Sequence, residues 1–455
     1  MHSIADRDIL HSFLLATIIR GLCYNHEMRN KVIILAMLVI ACSTVAGQDT
    51  AGRAVAAKYV PRLEKILQEN IIPYWYPACL DRTNGGYYIS SDATGKLIPG
   101  GSKMIVTQSR MIWLFSRLAR AGYRKPEFLK AADLGYRFLI DKMWDKQNGG
   151  FYWEVDSTGN QKTAPLKHLY GQSFALYAIS EYAMASGRKD VQKFAVDFFQ
   201  LLESKAHDAK HGGYVEFFSV DWKPNPASAR SYMGPPAGSK LMNTHLHLME
   251  ALTTFYRASH LPLGRERLLE LISVESNAVV RKNLPACTDK YQPDWTPILG
   301  DAFSRVSYGH DIENVWLLMD ACDAAGISNY PFQDLYRSLF GYSHKYGYDS
   351  AKGGFFDSGP FNQPADRRQK VWWVQSEALV SALRMSQLTG EALYLDVFDK
   401  TLDFVEKHQV DWAGGEWHNM INEDGKPTAA KASIWKAGYH NGRAMIECLE
   451  LLKKQ

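Results

Sequence analysis

The sequence predicts an all-α fold, a toroid of six helical hairpins of the (α/α)6 kind with short β-hairpins in its loops. Three observations carry this. A Gly-Gly turn recurs at a nearly constant interval, the segments between turns hold apolar residues at helical spacing, and strand-like alternation is scarce elsewhere.

The first element is a targeting segment. Met28-Arg29-Asn30-Lys31 is a short basic start, Val32 to Ala41 an apolar run, and Cys42-Ser43-Thr44-Val45-Ala46-Gly47 a small-residue stretch. The run is too short to cross a bilayer as a lasting helix. Residues 1–47 therefore read as an export signal and 48–455 as a single catalytic domain. Val39-Ile40-Ala41-Cys42 resembles a bacterial lipoprotein cleavage box, which would leave a lipid anchor at Cys42. Cleavage after Gly47 would instead release a soluble protein beginning at Gln48. Either product is exported, periplasmic or lipid-anchored; without a working signal the chain stays cytoplasmic.

The turns follow in order: Asn84-Gly85-Gly86-Tyr87, Asn148-Gly149-Gly150-Phe151, His211-Gly212-Gly213-Tyr214, Lys352-Gly353-Gly354-Phe355 and Ala413-Gly414-Gly415-Glu416. Their first glycines are 64, 63, 141 and 61 residues apart, so the long gap spans two periods. One degenerate turn is expected near Asp289 to Gly300, which makes six units. After most turns a short polar stretch with another glycine, such as Tyr88 to Gly95, predicts a small hairpin or irregular loop. Helical periodicity then runs through Gln108 to Ala121, Gln172 to Ala185, His245 to Ala258, Glu313 to Ala325 and Gln375 to Thr389. Each unit has room for two helices. Six such pairs close into a double ring; an open solenoid of stacked hairpins is the competing architecture. In a ring, inner-helix ends from distant units converge on one central cleft.

Composition narrows the function. Fifty-two basic against 48 acidic side chains, without long runs of either, leave no electrostatic footprint for nucleic acid. Twelve Trp and 24 Tyr fit stacking on sugar rings as well as packing between helices. Cys79, Cys287, Cys322 and Cys448 are far apart and form no C-x-x-C pair, so they read as free buried thiols and not as a metal or disulfide framework. The nucleophile elbow, phosphate loop, dinucleotide fingerprint and H-E-x-x-H motif are absent from the sequence.

Three clusters could carry chemistry. In Asn243-Thr244-His245-Leu246-His247, histidines at i, i+2 point apart on a helix, so one faces the cleft and the other packs behind it. In Ser307-Tyr308-Gly309-His310-Asp311-Ile312-Glu313, His310 and Glu313 at i, i+3 can meet on one face, where a carboxylate orients an imidazole and raises its basicity; a helix-capping role for the acids is the alternative. The third, Trp435-Lys436-Ala437-Gly438-Tyr439-His440-Asn441-Gly442-Arg443, places a histidine in a Gly-flanked turn where periodic packing does not call for one. Arg110, in Thr107-Gln108-Ser109-Arg110, could stabilise an anion or lie on the surface.

On these motifs, with the run Trp372-Trp373-Val374-Gln375-Ser376-Glu377, the chain from about Tyr59 onward resembles the cellobiose 2-epimerases, a branch of the N-acylglucosamine 2-epimerase superfamily. The resemblance implies an (α/α)6 isomerase that inverts C2 at the reducing end of a β-1,4-linked disaccharide, cellobiose or mannobiose, without cofactor or metal. It implies His310 and His440 as acid/base catalysts, Glu313 supporting His310, His247 assisting ring opening and Arg110 holding the enediolate. Asn243 and Tyr170 would bind the sugar, and Trp372, Trp373 and Trp435 would border it. The expected partner is a small sugar, the expected state a monomer. An N-acylglucosamine 2-epimerase or aldose–ketose isomerase of the same superfamily, a glycoside hydrolase on the same toroid and a non-catalytic sugar-binding protein are the competing functions.

Overall fold

Six helices are apolar on nearly every face, and a helix of that kind must be surrounded by others. Fifteen of the 16 residues of α1 (Ile105–Arg120) are buried. Its chain neighbour α2 (Lys125–Phe138) buries only one stripe, from Phe128 to Phe138. The same alternation continues through α3 (Leu169–Ser186) and α4 (Lys189–Ala206), α5 (Met242–Ser259) and α6 (Pro262–Ser273), α7 (Tyr308–Ala325) and α8 (Gln333–Gly347), and α9 (Trp372–Thr389) and α10 (Ala392–Phe404), with α11 (Tyr439–Lys453) last. In this computed structural model, which describes residues 52–454 apart from 227, 232, 301–303 and 429, the odd-numbered helices form the inner ring and the even-numbered ones the outer. The ring closes where Trp113 of α1 meets Tyr439 of α11, ring centroids 5.3 Å apart.

The toroid is built from Leu63–Leu451; residues 52–62 and 452–454 group separately. The targeting segment read over residues 1–47, Cys42 included, lies outside the described residues. The first five inner helices start three or five residues before the periodic stretch seen in sequence. The leading N–H groups of the extra turn have partners in the next unit: Ile105 N–H donates to Trp153 O, Leu169 N–H to Glu216 O, Met242 N–H to Asp289 O and Trp372 N–H to Asn419 O.

One device fixes the turns. An aspartate starts each of five, and its carboxylate accepts backbone N–H groups two and three residues on. A lysine from the end of the same loop reaches back to its other oxygen: Lys103 to Asp81 at 2.6 Å, Lys167 to Asp145 at 3.0 Å, Lys240 to Asp208 at 2.8 Å, Lys370 to Asp349 at 2.9 Å and Lys431 to Asp411 at 2.5 Å. A glutamine of the following inner helix holds the aromatic residue by both backbone groups, Gln172 to Phe151 for example at 2.9 and 2.8 Å. His245 takes that place in the third unit, where its Nε2 accepts the Tyr214 N–H. Glycine is required here: Gly150 has φ +73°, and a Cβ on it would lie 2.5 Å from Trp222 Cζ2.

The structure departs from expectation at three points. Most of the expected β-hairpins are ribbons between units, pairing the two residues before an inner helix with the next unit's loop, as Lys167–His168 does with Phe217–Phe218. Strands this short gain little alone and persist because the rings bring neighbouring loops side by side. Second, the degenerate turn lies before Asp289, at the hairpin of Val280–Arg281 with Leu284–Cys287. Val306 stands two residues before α7, where Lys103, Lys167, Lys240 and Lys370 stand before their helices, so the ion pair is replaced by an apolar cluster of Leu284, Ala286, Val306, Tyr308 and Tyr342. Third, the last turn is Gly415-Glu416, one residue later than read, and Glu416 sits at φ +63° where the other units use glycine. Its buried carboxylate accepts Trp75 Nε1–H at 2.5 Å, Lys436 Nζ at 2.7 Å and Asn441 Nδ2 at 2.6 Å, contacts that over-determine an unfavourable backbone.

Truncating Lys167 would leave Asp145 buried without its cation. The Lys167→Ala variant is expected to lose about 3–5 kcal/mol of stability, the usual cost of breaking a buried pair, read from the urea midpoint.

Candidate active site

Side chains from the first two turns of all six inner helices and the loops before them meet in one cavity of about 220 Å³. The first unit contributes Arg110 and the second Tyr170. Asn243 and His247 come from the third, His310 and Glu313 from the fourth, Trp372 and Trp373 from the fifth, and Trp435 and His440 from the sixth; Met233 completes the lining. All ten residues singled out in the sequence therefore stand around one space. His247 faces it, whereas His245 packs behind and serves the third turn.

Trp373 joins the two outermost imidazoles. Its ring centroid lies 4.7 Å from that of His310 and 5.9 Å from that of His440. Gly309 permits this, since a Cβ there would lie 2.5 Å from Trp373 Cη2. The guanidinium of Arg110 is aimed by Nη1 donating to the Trp435 carbonyl at 2.8 Å and by packing over the Phe174 ring, 4.4 Å from its centroid.

Beneath the cavity one arginine serves three glutamates. Arg443 Nη2 donates to Glu313 Oε1 and Glu377 Oε1, both at 2.8 Å, and Nη1 donates to Glu250. Two of these carboxylates hold a histidine: Glu377 Oε1 is 2.6 Å from His440 Nδ1, and Glu250 Oε2 is 2.9 Å from His247 Nδ1. The cavity nitrogen of each imidazole is then Nε2, with its ring orientation fixed from behind. Trp316 Nε1–H donates to the second oxygen of Glu377 at 2.8 Å.

The spacing of His310 and Glu313 predicted a direct pair, which does not form. The buried guanidinium draws Glu313 instead, because a charge-assisted bond in low dielectric outweighs one to a neutral imidazole. The i, i+3 contact occurs one unit earlier, between His247 and Glu250. His310 makes no hydrogen bond among the described residues; the carboxylates acting on it are Asp289 and Asp357.

Burial sets the charges. It pushes Glu313 up to about 8 and Glu377 well above the carboxylate range, the latter also repelled by Glu313. It pushes His440 well below the imidazole range, with Arg110 and His310 adding to the effect. Burial thus favours the uncharged form of each partner across the 2.6 Å Glu377–His440 bond. His247 is likewise lowered by burial, then by Arg110. Four polar atoms of the residues lining the cavity have no partner among the described residues: Arg110 Nε, Asn243 Oδ1, Glu313 Oε2 and Trp372 Nε1. Unpaired buried groups of this kind are costly unless a ligand uses them. Glu313, Glu377 and His440 also form the one cluster among the described residues with metal-ligand spacing, but Arg443 already occupies the cationic position between the carboxylates.

Sequence reasoning passed over Glu250, Glu377 and Arg443 as functional groups. Glu250 was detectable, since it follows His247 by the same three residues that drew attention to Glu313. Met233, Asp289 and Asp357 come from loops whose course no periodicity indicates.

The sequence profile of the N-acylglucosamine 2-epimerase (GlcNAc 2-epimerase) family matches residues 86–444. A cellobiose 2-epimerase of Dictyoglomus turgidum is 32% identical over 392 residues, which is 85% of this chain and 96% of that protein. The structure of a cellobiose 2-epimerase from Bacillus thermoamylovorans superposes with a TM-score of 0.79 at 29% identity, covering 87% of this chain and 99% of that one. The corresponding protein of Spirochaeta thermophila gives 0.78 at 31%, covering 88% and 98%.

Next to His310, Asp311 turns away from the cavity. Its Oδ1 accepts the Cys287 N–H at 3.1 Å, its Oδ2 has no partner among the described residues, and burial pushes the carboxyl up to about 8. The folded chain therefore holds a proton that the unfolded chain, titrating near 4, gives up. The associated stability is complete below about pH 4 and is lost as pH rises through about 8. Asp311→Asn keeps the Oδ1 acceptor and has no proton to lose. Its urea midpoint is expected to fall less than that of the wild type between pH 6 and pH 9.

Proposed function

Given that this chain belongs to the N-acylglucosamine 2-epimerase family and is a carbohydrate epimerase, we propose that it inverts C2 of the reducing-end sugar of a β-1,4-linked disaccharide, cellobiose or mannobiose. The observation that carries this reading is the pair of imidazoles, His310 and His440, reaching one cavity from different units and both packed on Trp373.

The C2–H bond of an open-chain aldose is acidified by the C1 carbonyl. One histidine takes that proton, the C1–C2 bond becomes an enediolate, and the other histidine returns a proton to the opposite face. His440 suits either role: with the shared proton on Glu377 its Nδ1 accepts and its Nε2–H is an acid, and with the proton on Nδ1 its Nε2 is a base. His310, with free ring nitrogens and two carboxylates acting on it, is its counterpart. Arg110, fixed by the Trp435 carbonyl, supplies preorganised donors to the enediolate oxygens. His247, backed by Glu250, moves the proton between O5 and O1 that opens the ring. The unpaired atoms of Asn243, Glu313 and Trp372 accept or donate to the hydroxyls, while Tyr170, Trp373 and Trp435 border the ring. The basic–apolar–small pattern over residues 28–47 supports an exported enzyme working on oligosaccharides outside the inner membrane. Cell fractionation that finds the protein only in cytosol removes that part of the reading.

Proton NMR with each disaccharide in deuterated buffer is expected to reveal the C2 epimer with deuterium at C2. His310→Ala and His440→Ala should each lower the rate by about 10²–10⁴-fold. Ketose as the main product would instead identify an aldose–ketose isomerase.

A further inference from the structure

Towards the end that lies away from the cavity, the six inner helices carry charges whose sign alternates around the ring. Arg117 of α1 is followed by Glu181 of α3, Arg257 of α5, Asp320 of α7, Arg384 of α9 and Glu447 of α11. The places correspond in the repeat. Arg117, Glu181 and Arg384 each stand nine residues after the glutamine that holds their turn, and Arg257 stands one helical turn further along, twelve residues after His245.

Neighbours of opposite sign bond from helix to helix. Arg257 forks onto Asp320, with Nη1 to Oδ2 and Nη2 to Oδ1 both at 2.8 Å, and Arg384 Nη2 donates to Asp320 Oδ1 from the other side at 3.1 Å. Arg117 Nη2 donates to Glu447 Oε1 at 3.1 Å, across the seam between α1 and α11. Flanking charges reinforce three corners: Glu450 pairs with Arg117 at 2.7 Å, Arg120 with Glu181 at 2.6 Å and Asp323 with Arg384 at 2.8 Å. The field of Glu181 also reaches Arg117, and that of Glu447 reaches Arg257 and Arg384. Single ion pairs near a surface hold little, whereas a closed network in which each charge has opposite neighbours resists the departure of any member.

Helix α11 depends on this end more than the other inner helices do. The residues before α1, α3, α5, α7 and α9 are pinned by a ribbon to the next unit's loop, but no strand pairing precedes Tyr439 among the described residues. Its start hangs on side chains, Lys436 and Asn441 on Glu416. Yet α11 carries His440 and Arg443, and the 2.6 Å bond from His440 to Glu377 of α9 leaves little room for drift. We propose that the six alternating charges form an axial clasp, in which Glu447 is a positioning residue that seats α11 against α1 and so aims His440 into the cavity. The catalytic part given to His440 rests on the epimerase reading above; the clasp rests on the contacts just described.

The test reverses one charge. Glu447→Arg sets a cation against Arg117 and Arg384, and a shift of His440 by about 1 Å is expected to lower kcat on the order of 10²-fold. KM, set largely by Tyr170, Asn243 and Trp373 of other units, should stay near the wild-type value. Sodium chloride at about 1 M shortens the Debye length to about 3 Å and should return part of the lost rate. Arg117→Lys and Glu447→Asp keep the signs and should keep the wild-type kcat. The double variant Arg117→Glu/Glu447→Arg remakes the seam pair but meets Glu181 and Arg384 with like charges, so partial recovery is expected and full recovery would overturn the alternating ring. The proton of the His440–Glu377 bond, a downfield NMR signal assigned by its absence in His440→Ala, should shift or broaden in Glu447→Arg and stay in place in the sign-keeping variants. Wild-type kcat in Glu447→Arg, or a kcat that falls with the thermal melt while that signal is unmoved, would overturn the positioning role. Should the reversal fail to fold, Glu447→Gln is read in the same way. A wild type that epimerises neither disaccharide would remove the epimerase reading alone, and the NMR signal would then still decide the clasp.

Discussion

The buried guanidinium of Arg443 is the constraint on which the rest of the structure depends. It bonds glutamates from α5, α7 and α9 while projecting from α11, so four inner helices converge on one cation. Charges so deeply placed are tolerable only with their partners present, and each carboxylate here would be strongly disfavoured without the arginine. Assembly of the ring and assembly of the site are consequently one event. The same carboxylates that neutralise Arg443 also orient His247 and His440, so the structural and chemical demands on Glu250 and Glu377 coincide.

Around this hub the repeat supplies a rigid frame. Each Asp–Lys pair ties the two ends of a unit's loop together, and the following ribbon ties it to the next unit. The neighbouring loop satisfies the leading amides of the inner helices, which leaves the side chains there free to face the cavity. Precision at the centre thus derives from repetition at the rim.

The periodic parts of this design were legible in the sequence. Gly-Gly spacing and apolar helices disclosed six units, and histidines at helix starts disclosed most of the cavity wall, because both signals are local. What stayed hidden depends on partners distant in sequence. Glu313 has the right spacing for His310, yet Arg443, 130 residues on, claims it. Val306 removes a turn's ion pair, a loss visible only once the lysines of the other units are known to matter. Glu416 looked like the residue after a Gly-Gly turn, whereas its place in the repeat is that of the second glycine.

Glu416 also sets the order of events on the ribosome. Trp75 in the first unit finds its partner only when this carboxylate, some 340 residues later, has been made, and the same carboxylate braces Lys436 and Asn441 on either side of His440. A nascent chain lacks His440, part of the cavity wall, until the sixth unit has been made. On the two-histidine reading proposed above, a chain that ends before the sixth unit lacks one member of the pair.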